Sequence, residues 1–395
     1  MSAYLDHAAS TPMRPEAFEA MVPWLQHQHA NPSGAHRLAR DARRAIDEAR
    51  DVVAAGLGVD PGEVIFTSGG TEADNLAVLG VHDRRGGTVV GAATEHHAVL
   101  EPVLSRGGRI VTVGPDGVID LDALAAALDP HVMLVSVMLA NNEVGTVPPL
   151  AEVAEVVARH APGASLHTDA VQAFSWLDVA TGAASADLVS ISAHKFGGPK
   201  GIGALAVRSG TPLSPRQIGG GQERDRRSGT HNVAGIVAMA VAMASTVEQR
   251  VATVARVGAL RDRLLDGLLA EIPDLVETGG PRSARVVGIG HVCIPGVESE
   301  ALLFLLEQAE VYAAAAASCA SGAMEPSHVL AAMGVPRGVA FGALRLSLGW
   351  CSTDDDVDRA LEVIPPAVER LRRFAGSAAT GPTSVAARVG RGTTP

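Results

Sequence analysis

Three short segments carry residue types whose chemistry would combine. Phe66-Thr67-Ser68-Gly69-Gly70-Thr71-Glu72 follows an apolar run and opens a helical one. Small residues at such a junction let backbone N–H groups close on an anion, and a helix N-terminus favours negative charge. The same residues would also make an ordinary strand-to-helix turn with a threonine cap. Leu166-His167-Thr168-Asp169-Ala170-Val171-Gln172 sets an acid at the end of a buried strand, where it can face a cofactor. The stretch from Ser190 to Gly201 holds Ser192, His194 and Lys195 after an apolar strand and before Gly197-Gly198-Pro199. A lysine there either snorkels to solvent or serves as a Schiff-base amine.

Taken together, the three segments resemble pyridoxal-phosphate enzymes of the aspartate-aminotransferase fold. Further along, Tyr4-Leu5-Asp6, Asn31-Pro32-Ser33, Thr94-Glu95-His96, Asn141-Asn142-Glu143-Val144-Gly145, Ser192-Ala193-His194-Lys195, Gly219-Gly220-Gly221-Gln222-Glu223, Arg227-Ser228-Gly229-Thr230 and Arg345-Leu346-Ser347-Leu348-Gly349 occur in sequence. That ordered set resembles the cysteine desulfurases of the NifS/IscS-like group, over residues 3 to 373. Each short motif is weak alone; the order makes the likeness specific.

The resemblance implies a set of roles. Lys195 is the Schiff-base lysine. Asp169 pairs with the pyridine nitrogen and Gln172 with the ring hydroxyl. His96 stacks on the ring and shuttles protons, while His97 beside it is the solvated member of the pair. Gly70, Thr71, Ser192 and His194 hold the phosphate. Thr230 completes that cup from a second subunit, which implies a homodimer. Arg345, with Asn142 and Asn31, binds the substrate carboxylate, a task suited to a planar guanidinium fork.

The chain has three cysteines, Cys293, Cys319 and Cys351. Too few for a disulfide framework, they fit a reducing compartment. Cys319 sits among small residues, Ala317-Ser318-Cys319-Ala320-Ser321-Gly322, six residues before Glu325 of Glu325-Pro326-Ser327. In the family this is the place of the nucleophile that takes sulfur as a persulfide. The run Ala313 to Ala317 stands where relatives usually carry Ser and Gly, and alanine favours helix. Cys293 lies in a strand pattern and reads as buried; Cys351 ends a strand near the arginine motif. The implied reaction converts L-cysteine to L-alanine and passes the sulfur to an acceptor, such as an iron–sulfur scaffold or a thiolation enzyme. Selenocysteine lyase, or an aminotransferase or epimerase of the same fold, is the alternative.

The elements that must position these residues alternate. Apolar runs at Val64 to Thr67, Thr88 to Gly91, Arg109 to Val113, Met133 to Met138, Ser165 to Thr168, Leu188 to Ser192 and Ala204 to Val207 read as buried strands. Helical stretches lie between them at Ala35 to Gly56, Glu72 to Val81, Leu121 to Leu128 and Leu150 to His160. That alternation predicts an α/β layer around a mainly parallel sheet. After residue 250 the pattern changes to a helix from Val254 to Glu271, a strand from Val286 to Ile294, a helix from Glu298 to Glu310, a strand from Ala343 to Leu348 and a helix from Asp354 to Phe374. The expected organisation is a large cofactor-binding domain at 15–250 and a smaller α+β domain at 251–375 carrying Cys319. Residues 1–14 would pack with the smaller one, and 376–395 would form a mobile tail.

Composition narrows the classes. Hydrophobic residues are 47% of the 395 and charged ones 19%, enough for a packed core. Aromatics are only 3% and the formal net charge is −11, which argues against direct nucleic-acid or anionic-membrane binding. No Cys-x-x-Cys or His-Glu-x-x-His spacing marks a metal site. No secretory leader or membrane-spanning run is read, so the expected location is the cytoplasm.

Overall fold

The computed structural model describes residues 2–315 and 327–379, the last five by backbone alone. Strands β2 (Val64–Thr67), β3 (Thr88–Ala92), β4 (Arg109–Val111), β5 (Val132–Ser136), β6 (Ser165–Asp169), β7 (Leu188–Ser192) and β8 (Gly203–Val207) form one sheet. Its order is β2-β8-β7-β6-β5-β3-β4, with β8 antiparallel to both neighbours and the remaining pairs parallel. From β5 to β8 almost every residue is buried. Strands covered on both faces read as continuous apolar runs, as these do.

Helix α2 (Arg37–Leu57) precedes the strands of this sheet in sequence, and α3 (Gly70–Arg85), α4 (His97–Ser105), α5 (Leu121–Ala127), α6 (Leu150–His160) and α7 (Val179–Gly182) lie among them. Each local choice has a cause. Leu150, Val153 and Val157 give α6 its buried stripe. Gly58 ends α2 in the left-handed region at φ 65°. Helix α1 (Pro15–Gln26), entered through Pro15, was not legible as an element because Pro23 interrupts it and its apolar residues make no single buried stripe, only Ala17 being buried.

The sequence separates a buried helix near Val233 from a second one starting at Val254. In the structure they are one helix, α8 (Val233–Glu271), of 39 residues, about 58 Å long. Asn232 caps it through its side-chain oxygen on Gly235 N at 3.0 Å. Its first half puts Ile236, Met239 and Met243 into the core around the large sheet. The second half puts Val257, Leu264, Leu265 and Leu268 into a separate core.

That second core is built on β9 (Val276–Glu277), β10 (Ile289–Cys293) and β12 (Ala343–Ser347), antiparallel in the order β12-β10-β9. With them pack α9 (Ser299–Gln308), α10 (His328–Ala332), α11 (Arg337–Ala340) and α12 (Asp354–Ala379). The N-terminal β1 (Ala3–Tyr4) pairs in parallel with β11 (Val311–Tyr312), and Asp6 bridges to Ser347. Helix α12 extends a few residues beyond Phe374. Among the described residues no helix is long and apolar enough to cross a membrane.

One irregular turn shows how the large sheet is locked. Glu223, Arg224 and Asp225 all lie in the left-handed region, at φ 47°, 57° and 63°, each at a cost of about 1–3 kcal/mol for a non-glycine residue. The Glu223 carboxylate offsets it by accepting from Arg50 Nη1 at 2.8 Å, Arg50 Nη2 at 2.7 Å, Phe66 N at 2.9 Å and His231 Nε2 at 2.8 Å. Though burial opposes ionisation, the Arg50 hydrogen bonds and charge hold Glu223 down at about 2. A depressed carboxyl stabilises the fold above its unfolded pKa and loses that stabilisation as the pH falls toward the folded value. Glu223→Gln should therefore lower stability in urea by about 3–5 kcal/mol at pH 7, leaving Arg50 unpaired, with the gap from the parent protein closing between about pH 4.5 and pH 2.

Candidate active site

The cradle begins at the carboxyl end of β2. Gly69 has φ 153° and ψ −175°, a region that only glycine occupies readily. A Cβ on Gly70 would lie 2.7 Å from Val171 Cγ2, so glycine is required there to let α3 start against the β6 loop. The start of α3 therefore aims backbone N–H groups and the positive end of its dipole at a concavity. Glu72 braces this turn by accepting from Ser68 N at 2.6 Å and from Arg227 Nε at 2.8 Å.

That concavity is a cavity of about 340 Å3. It lies beyond the carboxyl ends of β2, β5, β6 and β7, where parallel sheets bind ligands. Gly70, Thr71, His96, Asn142, Asp169, Gln172, Ser192, His194, Lys195 and Arg345 all line it. Ten of the residues named from the sequence are thus brought together from segments up to 275 positions apart.

Lys195 follows Ser192 through a single turn, Ala193–Lys195, tied by Ser175 Oγ donating to Lys195 O at 2.9 Å. Its ammonium donates to the carbonyls of Ala8 and Ala9, the latter at 3.0 Å. Burial, and then the charge of Arg345, push Lys195 down to about 8. Asp169 lines the same cavity, accepting from Val171 N at 2.8 Å. Burial raises Asp169 to about 6, against the pull of the Val171 N–H and Lys195. His96 caps α4, its Nδ1 accepting from Ala98 N at 3.1 Å, which leaves its proton on Nε2. Desolvation and the Lys195 charge push His96 down to about 4, so its ring is neutral. The same causes push His194 down to about 4.

Arg345 enters from the second core. Its Nη2 donates to Asp6 Oδ1 at 2.8 Å and its Nη1 to Asn142 O at 3.0 Å. Arg345 Nε is buried with no partner among the described residues. The two terminal nitrogens are thus fixed at the wall of the cavity, an arrangement in which a guanidinium can take a carboxylate.

Asn31 and Thr230 are not among the lining residues. Asn31 folds its Oδ1 back onto Ser33 N at 2.9 Å, and Thr230 is exposed beside the Glu223 turn. Cys319 lies outside the described residues. Of the other thiols, Cys293 is buried and pushed up to about 12 by desolvation, while Cys351 is half-buried and raised for the same reason. Asp74, Met138, Ala8 and Ala9 also border the cavity, and none of them carries a signal in the sequence. An acid inside a helical run reads as solvated, and a backbone carbonyl has no sequence signal.

Residues 3–360 match the model of the aminotransferase class-V family. An IscS-like cysteine desulfurase from Mycobacterium tuberculosis is 47% identical over 95% of this chain and 99% of its own length. The cysteine desulfurase IscS of Dictyoglomus turgidum is 40% identical over 93% and 95%. A solved NifS-like protein superposes with a TM-score of 0.87 at 34% identity, covering 94% of this chain and all of its own.

The chain belongs to the class-V aminotransferases, in their NifS/IscS-like cysteine desulfurase group. Enzymes of this family work with pyridoxal phosphate. The cavity fits that group on its own chemistry: an amine of lowered basicity, an anion cradle that a Cβ at Gly70 would fill, and a buried acid for a ring nitrogen. Only the uncharged amine attacks an aldehyde. Capture of pyridoxal phosphate by the cofactor-free desulfurase should accelerate as pH rises through about 8, where Lys195 loses its proton, and not near the 10 of an ordinary lysine. Stopped-flow absorbance across pH 6 to 10 reads this directly.

Proposed function

We propose that this protein takes sulfur from free L-cysteine as a persulfide on Cys319 and releases L-alanine. The observation that carries the reading is the convergence of Lys195, Asp169 and Arg345 on one cavity. Arg345, braced by Asp6, takes the substrate carboxylate with Asn142 beside it. The cofactor, when bound, supplies an electron sink for the Cα–H bond of the amino acid. Gly70, Thr71, Ser192 and His194 would hold its phosphate, Gln172 would meet its ring hydroxyl, and His96 would serve the ring face.

Asp169 keeps a proton on the ring nitrogen by pairing with it. Lys195, whose lowered basicity lets it shed its proton near pH 8, takes the Cα proton in its uncharged form and returns one. The neutral His96 can accept or pass a proton at the same face. Cys319, as thiolate, attacks the substrate sulfur: the S–S bond forms, the Cβ–S bond breaks, and its electrons remain with the carbon skeleton. The net change is L-cysteine plus the Cys319 thiol giving L-alanine plus the Cys319 persulfide, with atoms balanced. Thiolate is the reactive form.

In this reading residues 15–250 form the cofactor-binding unit and 251–375 the smaller one that carries Cys319, with the first 14 residues joined to it. Two copies assemble as a homodimer. Thr230 then reaches the phosphate cup of the second copy, and Asn31 on the same side joins the partner's substrate pocket. Their location away from their own cavity supports that assignment. The acceptor is an iron–sulfur scaffold or a thiolation enzyme, in keeping with the IscS names of the relatives, and the work is done in the cytoplasm.

Mass spectrometry after incubation with L-cysteine should find one added sulfur, on the peptide bearing Cys319. Cys319→Ser should lose both that adduct and alanine release; alanine at the parent rate would overturn the assignment in favour of a lyase that needs no thiol. Arg345→Ala should raise KM for cysteine about 10–100-fold, the worth of a charge-assisted pair, while retaining cofactor absorbance. Lys195→Ala should lose the borohydride-reducible link to the cofactor, with turnover down at least about 100-fold.

A further inference from the structure

One buried acid at the cavity has no part in this scheme. Asp74 lies on α3, lines the same cavity as Asp169 and is 1% exposed. Its Oδ1 has no hydrogen-bond partner among the described residues. His167 Nε2 is 3.6 Å away, beyond hydrogen-bond reach, and is already paired with Ser190 Oγ at 2.9 Å. The other ring nitrogen of His167 is paired with Ser136 Oγ at 2.8 Å. Wholly buried between two hydroxyls, His167 is pushed down to about 3 by desolvation and stays neutral.

The remaining groups acting on Asp74 are the Ser190 hydroxyl from β7 and two further carboxyls, Asp169 on β6 and Glu95 just before α4. Both carboxyls oppose its ionisation. Asp169, by contrast, has the Val171 N–H and the Lys195 ammonium in its favour. When two acids interact across a dry interior, the better-supported one ionises and the other keeps its proton.

We propose that Asp74 is a carboxylic acid that holds its proton at neutral pH and so leaves the negative charge of the cavity floor to Asp169. One carboxylate then faces one ring N–H, and no second charge competes for it. That purpose rests on the assignment of Asp169 to the ring nitrogen; the protonation of Asp74 does not.

Infrared spectroscopy of the loaded enzyme, grown with 13C-carboxyl aspartate, tests it. The label moves aspartate bands only, so Glu95 does not interfere. At pH 7 the parent protein should show a label-shifted carboxylic-acid C=O band that also shifts in D2O and disappears in Asp74→Asn. Asp169→Asn should lower the pH at which that band converts to carboxylate by about one unit or more, since a like charge has gone. A parent spectrum with no labelled acid band, a band that survives in Asp74→Asn, or a midpoint unmoved in Asp169→Asn would each overturn the proposal. The parent measurement needs no variant to fold. Failure of the Asp169 assignment would appear separately, as a cofactor absorbance whose pH dependence is the same in Asp169→Asn.

Discussion

An amine and an acid withdrawn into one cavity must each be given partners, or one will neutralise. The fold around this site is the answer to that requirement. Desolvation alone would strip Lys195 of its proton and keep Asp169 from losing one. The structure limits both effects with fixed dipoles: two backbone carbonyls for the ammonium and one backbone N–H for the carboxylate. Lys195 ends near 8 and Asp169 near 6. Both values lie close to neutrality, so modest changes in the cavity move protons between its groups, as acid–base chemistry at neutral pH requires.

Those dipoles come from a segment far away in sequence. The Ala8 and Ala9 carbonyls sit just after β1, which is tied to β11 and, through Asp6, to Ser347 and Arg345. The chain's first turn therefore touches both the Lys195 side chain and the Arg345 guanidinium. A displacement of this strap would remove the acceptors of the amine and the brace of Arg345 together. It joins the two cores at the cavity, while α8 joins them away from it, through one unbroken helix. The small-sheet arginine is thus held in register with large-sheet groups by two independent connections.

How much of this was readable in the sequence depended on whether the signal was local. Strand β7 and helix α6 have the bounds expected from their apolar patterns, Leu188–Ser192 and Leu150–His160, because burial on a strand or a helix face writes a periodic pattern. Helix α4 was missed: it has nine residues with Pro102 inside, too short for a stripe. The break read near residue 250 reflects a change of neighbours along α8, from an Ala- and Met-rich stretch against the large sheet to a Leu-rich one in the second core. Composition shifted there and backbone did not. The site residues were legible as types at chain positions. Their convergence was supplied by resemblance, since no local rule places Arg345 beside Asp6, 339 residues earlier.

Charge in the cavity explains why such distant residues must meet. Lys195 and Arg345 are cations within mutual reach, and each lowers the cost of an anion nearby; Arg345 in turn depresses Lys195. Asp6 pairs with Arg345 and also supports the Lys195 ammonium. The histidines His96, His167 and His194 are all held neutral, His167 by complete burial and the other two by partial desolvation together with the Lys195 charge, so they offer hydrogen bonds without adding charge. In the pocket itself the charges of Lys195 and Arg345 are met by Asp169 and Asp6, which limits the cost of burying them. Substituting any of these charged groups by a neutral one would disturb the protonation of the others as well as remove a contact.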